Sequence, residues 1–123
     1  MKHDIINRKD IEQLINAFYD KVKEDEIIGY FFNEVVPVNW EKHLPVMYDF
    51  WENVVFHTGS YEGNPMHIHQ NINKISPMKM EHFQRWILLF NHTVDELYEG
   101  QNAENIKQRA MSIATVMQIK IFS

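Results

Sequence analysis

Apolar residues recur along the chain at three-and-four spacing, and no segment keeps the strict alternation of a strand. Ile11, Leu14, Ile15, Phe18 and Val22 form the first stripe, with Lys21, Lys23, Glu24 and Asp25 on the wet face. Asp10 reads as the N-cap of this helix, with Gln13 as its box partner. A short helical turn over 27–32 follows. Residues 33–39 then form an irregular corner, because Pro37 disfavours a helical Val36.

The second stripe holds Trp40, Leu44, Met47, Phe50, Trp51, Val54 and Val55, with Asn39 as a candidate cap. Pro45 leaves two starts open, a regular helix from near Leu44 or a looser turn from Trp40. Both put His43 at or near the N-terminal end. Residues 57–65 are a loop, and the segment 66–73 is too short to be a stable helix alone. Ser76-Pro77 predicts a cap and first helical residue for a helix reaching about Tyr98. Its inner face carries Phe83, Trp86, Ile87, Phe90, Val94 and Leu97. Gly100 ends it, and Asn102 is the predicted cap of a last helix. That helix turns Ile106, Ala110, Ile113, Val116 or Met117, and Ile119 inward. The predicted class is all-α, with four main helices and two short ones.

A length of 123 residues favours one domain, and 45% hydrophobic with 24% charged residues fits a packed core rather than disorder. The net charge of -5 argues against a nucleic-acid partner, which needs clustered Lys and Arg. The absence of cysteine removes disulfides, thiolate metal sites, iron–sulfur ligation and Cys nucleophiles together. No apolar run approaches the roughly 18 residues that span a bilayer, and no signal-like core follows Met1-Lys2-His3-Asp4. The expected location is therefore cytoplasmic, with no membrane partner. Aromatics at 13% and seven histidines suit a large flat ligand, or equally a tightly packed small core.

Glu24, Asp25 and Glu26 read as a solvated charge run, and no Gly-rich phosphate loop, Gly-x-Ser-x-Gly elbow or His-Glu-x-x-His pair is present. Three features could carry chemistry. His67-Ile68-His69 places two histidines on opposite sides of any helix, so one could ligate a metal while the other faces water. Two surface histidines in a turn is the plainer reading. Tyr19 sits at the edge of the first apolar face, where its ring can be buried while its hydroxyl needs a partner. Trp86, in the middle of a core helix, has a donor-only indole N–H that must be satisfied.

Taken in chain order these features are more specific. Phe18-Tyr19 is followed by Phe31-Phe32, then His43-Leu44-Pro45-Val46-Met47 leading to Phe50-Trp51. Next come Tyr61-x-Gly63-x-Pro65-x-x-x-His69, His82-Phe83-x-x-Trp86-Ile87-x-Leu89-Phe90, and Arg109-Ala110 with Ile113-Ala114. This string resembles the group III truncated haemoglobins from about Asp10 to the C-terminus. The missing Gly-Gly pair of groups I and II points the same way.

The resemblance implies a truncated globin fold, a two-over-two helical sandwich around a haem. It implies a single globin domain over 1–123, with 1–9 as an N-terminal extension. The implied cofactor is haem b, with His69 as the proximal iron ligand. Tyr19, Trp86 and His43 match the ligand-stabilising distal positions, His43 either as a gate or as a direct contact. Phe32, Met47, Phe50 and Trp51 match the haem-packing positions. A neutral imidazole suits iron, and Tyr and Trp donors suit a dioxygen carrying partial negative charge in a dry pocket. The implied function is binding of oxygen or another diatomic gas, such as carbon monoxide or nitric oxide, at a five-coordinate iron. Dioxygenase or peroxidase-like redox chemistry with an unidentified reductase comes second. The alternative from the residues alone is a cofactor-free helical interaction module.

Overall fold

The computed structural model describes residues 2–30, 40–57 and 79–122. Among these the regular elements are four helices: α1 (Arg8–Glu24), α2 (Trp40–Phe56), α3 (Met80–Leu97) and α4 (Gln101–Phe122). α1 packs on α2 and α3, and α4 packs on α3 and α2, so one helix pair lies over another. The seam is filled by Ile11, Leu14, Phe18, Phe90, Val94 and Ile106, all buried.

The cap of α1 is Asn7 rather than Asp10. The Asp10 N–H donates to Asn7 Oδ1 at 3.0 Å, and the Ile6 N–H donates to the Asp10 carboxylate at 2.9 Å. Both residue types can cap. The earlier start leaves Asp10 in the first turn, where unpaired N–H groups and the helix dipole favour negative charge. α1 thus begins inside the span 1–9, and Ile5 from that span is fully buried. The Tyr98 hydroxyl donates to the Asp10 backbone oxygen at 3.2 Å and to Gln13 Oε1 at 3.0 Å. Burial and the nearby Asp10 carboxylate push the Tyr98 phenol up to about 12.

α2 is helical from Trp40 straight through Pro45, which decides between the two starts. Pro45 is inside the helix but on its exposed side, so its ring and missing N–H lie away from the packed seam. Asn39 and Ser76-Pro77, the other predicted caps, lie outside the described residues. α3 begins at Met80 rather than at the predicted Pro77: Lys79 is extended and caps the helix, its N–H donating to His82 Nδ1 at 2.8 Å. Asp25 ties the turn after α1 to α3. Its carboxylate accepts from the Ile27 and Ile28 N–H groups at 2.9 and 3.0 Å and from Arg85 Nε at 2.7 Å.

α4 is not capped by Asn102. Asp4, far away in sequence, supplies the cap: its carboxylate accepts from the Asn102 and Ala103 N–H groups, both at 2.9 Å. The Asn102 side chain instead donates to the Ile5 carbonyl at 2.7 Å. Gly100 makes room for this, with φ of 148°, and a Cβ there would collide with the Asp4 side chain. Ala110 and Ala114 are buried as the stripe continues, Ile113 is half-buried and Val116 is 38% exposed, so Val116 is not an inward position. The side chains of Met117 and Ile119 lie outside the described residues.

The Asp4 lock sets an acid response. Burial works against ionisation of Asp4, but the backbone N–H groups of Asn102, Ala103 and Ile5 outweigh it and hold the carboxyl below the usual range. Such a carboxylate stabilises the fold above its unfolded pKa, about 3.9, and the gain is lost as pH falls through the lower folded value. Asp4→Ala is expected to cost about 0.5–2 kcal/mol at neutral pH, the range for loss of a helix cap. In thermal melts the Tm gap from wild type should narrow below about pH 4. A gap unchanged in strong acid would contradict this role.

Candidate functional site

The residues singled out in α1, α2 and α3 meet in one aromatic cluster. Phe18 and Tyr19 are neighbours on α1, so their rings leave the helix in different directions. Phe18 meets α3: its ring is edge-on to Trp86 at 5.6 Å and to Phe90 at 5.1 Å. Tyr19 meets α2: its ring lies 5.1 Å from Trp40 and 5.5 Å from His43, the latter edge-on. The two rings touch each other at 5.1 Å and so join the halves of the cluster. Trp86 stacks on Phe90, one turn further along α3, at 5.6 Å. Phe90 in turn stacks on Trp51 at 4.8 Å, and Phe50 packs edge-on to Trp51 at 4.9 Å. Met47, Phe50 and Trp51 are all buried along α2.

Of the sequence-predicted site residues, Tyr19 and His43 are thus in direct ring contact, and Trp86 joins them through Phe18. Met47, Phe50 and Trp51 sit on the same helix as His43. His69 and Phe32 lie outside the described residues, as do His67 and Phe31. Among the described residues, no group of three or more His, Cys, Asp or Glu is placed to hold a metal ion. Trp40 was missed as a site residue and read as ordinary core. Its ring lies 5.6 Å from His43 as well as against Tyr19, and the Lys23 ammonium lies 4.9 Å above it. The signal was its spacing, one helical turn before His43 on the same face.

The electrostatics follow from burial. Tyr19 is 6% exposed, and desolvation pushes its phenol well above the ordinary value, so it stays a protonated donor at neutral pH. Burial lowers the His43 pKa, which favours the neutral imidazole. His43 Nε2 is buried and has no hydrogen-bond partner among the described residues. A buried polar atom left unpaired costs about 1–3 kcal/mol, so such an atom marks a place where a ligand group belongs.

The chain is 30% identical over 125 residues to the group 3 truncated hemoglobin ctb of Campylobacter jejuni subsp. jejuni, across 99% of this chain and 96% of that protein. The chain belongs to the group III truncated haemoglobins. The crystal structure of a group III truncated hemoglobin from Campylobacter jejuni matches this globin with a TM-score of 0.83 and 30% identity, over 98% of this chain and 95% of that one. No family model matches. The all-α, two-over-two globin fold expected from the sequence is therefore the fold observed.

Truncated haemoglobins bind haem, and the described side of the pocket suits one. The described residues there, Phe18, Met47, Phe50, Trp51 and Phe90, are buried and apolar. Its polar groups are a protonated phenol, a neutral imidazole and the Trp86 indole. This is a small donor set in an apolar enclosure, the usual composition of a cofactor or small-ligand site.

Proposed function

We propose that this globin would hold haem b through His69 and bind a diatomic gas, with Tyr19, Trp86 and His43 as the residues that would contact the gas. The observation that carries the reading is the contact of the buried Tyr19 ring with His43, whose buried Nε2 has no hydrogen-bond partner among the described residues. When bound, haem supplies an open iron position for the gas and the capacity to exchange electrons. The protein's own residues do the rest. Met47, Phe50 and Trp51 would shield the haem from water, and Phe32 would pack against it. Tyr19 donates its phenolic proton to a ligand atom carrying partial negative charge. Trp86 supplies a second N–H, and His43 a third polar contact.

Donors held in a dry place strengthen interaction with developing negative charge. That favours retention and activation of oxygen, peroxide or nitric oxide over simple release, in a dioxygenase or peroxidase-like reaction. Such a reaction needs an electron donor, so a reductase partner belongs to the proposal. A cytoplasmic site of action fits as well: among the described residues no helix is long and apolar enough to cross a membrane, and the chain is acidic.

The test is an absorption spectrum of the purified protein as isolated, after reduction, and after addition of carbon monoxide. A Soret band that shifts with carbon monoxide is expected. Protein that stays colourless after reconstitution with haem would instead support a cofactor-free interaction module.

A further inference from the structure

A second candidate site lies away from the aromatic cluster, where the C-terminal end of α2 meets α4. A cleft of about 420 Å³ opens there. Its floor is apolar, made by Val54, Val55 and Ile106. Its rim carries Arg109, His57, Ser112, Asn105 and Gln108. A smaller overlapping cleft of about 330 Å³ again contains Val54, His57, Arg109 and Ser112, so these four define the common part.

Every rim side chain can donate a hydrogen bond, and no carboxylate lines either cleft among the described residues. That is unusual in a chain with 17 acidic and 12 basic residues. The other two described arginines with carboxylate neighbours show the contrast. Arg8 is bonded to Asp49 at 2.7 Å and to Glu12 and Glu52 at 3.1 Å, and Arg85 to Asp25 at 2.7 Å. Arg109 has no ion pair or hydrogen bond among the described residues. Its helical neighbours explain why. The positions three and four away are Ile106, Asn105, Ser112 and Ile113, all uncharged. The nearest acids along the two helices are already engaged: Glu104 with Lys107 at 2.9 Å, and Glu52 with Arg8 at 3.1 Å. His57 is fixed at the edge by its own backbone. It has a positive φ of 56°, and its N–H donates to the Asn53 carbonyl at 2.8 Å.

We propose that this cleft binds a small organic anion, a carboxylate or phosphate group joined to a short apolar body. The Arg109 guanidinium would hold the anionic head with the planar fork that carboxylate and phosphate oxygens fit. His57 and Ser112 would donate to its remaining oxygens. Val54 and Val55 would cover the apolar part. The volume lies within the range of small-molecule pockets and exceeds what an inorganic ion needs.

The experiment is isothermal titration of the haem-loaded protein with three probes: inorganic phosphate, butyrate and phenyl phosphate. Saturable binding of butyrate or phenyl phosphate is expected, tighter than that of inorganic phosphate. Comparing those two tells which head group the cleft prefers. Arg109→Gln should weaken binding tenfold or more, and Arg109→Lys by less, while both keep the wild-type Soret spectrum. The proposal is overturned if no probe binds, if Arg109→Gln binds as tightly as wild type, or if inorganic phosphate binds as well as the organic probes. It also fails if Arg109→Gln alters the Soret band, since Arg109 would then belong to the haem site.

Discussion

His69→Ala is expected to leave the protein without stably bound haem, whereas His67→Ala should keep the full Soret spectrum. The two histidines have one residue between them, so on a helix they project to opposite sides and cannot exchange roles without moving the backbone. Only His69 stands four residues after Pro65 in the Tyr61-x-Gly63-x-Pro65-x-x-x-His69 string. An axial imidazole is a direct bond to iron, and its loss cannot be offset by apolar walls alone. Exogenous imidazole should restore binding in His69→Ala, because the alanine leaves room for a free ligand. Haem titration followed at the Soret band reads all three results. Normal haem retention in His69→Ala with loss in His67→Ala would reverse the assignment.

Much of this architecture was legible because helical periodicity survives into the packed state. The α1 stripe of Ile11, Leu14, Ile15, Phe18 and Val22 is fully buried. What escaped the sequence were choices decided by partners distant along the chain. Asn102 looks like a cap, but the helix end uses Asp4, 98 residues away, because Gly100 lets that carboxylate approach. Asp10 looks like a cap for the same local reason, yet Asn7 wins and frees Asp10 to accept from Ile6 and Tyr98. Pro45 looks like a break, but the helix tolerates it where its side is exposed.

The site divides along similar lines. Tyr19, His43 and Trp86 could be picked out from their chain order, whereas their mutual contact required the bundle. Nothing local in the sequence pairs Tyr19 with His43, since they lie on different helices. Trp40 was hidden because an aromatic residue on an apolar stripe has the same pattern whether it fills a core or walls a pocket. Only its contact with both Tyr19 and His43 separates the two.

Tyr19→Phe should speed oxygen dissociation more than any other single change in the described pocket. The substitution keeps the ring that packs against Phe18, Trp40 and His43, so it removes a donor without opening a cavity. Tyr19 is 6% exposed, and a hydrogen bond made there has little competition from water. Its loss is worth on the order of 1–3 kcal/mol, or about tenfold to a hundredfold in ligand residence time. Trp86→Phe should act in the same direction but less, because Trp86 is only half-buried and retains its stacking on Phe90 as a phenylalanine. His43 is also half-buried, and the continuous α2 holds its ring between Tyr19 and Trp40, which favours a direct contact over a swinging gate. His43→Ala should therefore speed dissociation less than Tyr19→Phe. Carbon monoxide is less polar when bound, so its dissociation should barely respond to any of the three changes. Stopped-flow measurements on the single mutants decide the order. Faster oxygen release from His43→Ala than from Tyr19→Phe would transfer the leading role to the imidazole, and an equal effect on carbon monoxide would point to altered packing rather than a lost hydrogen bond.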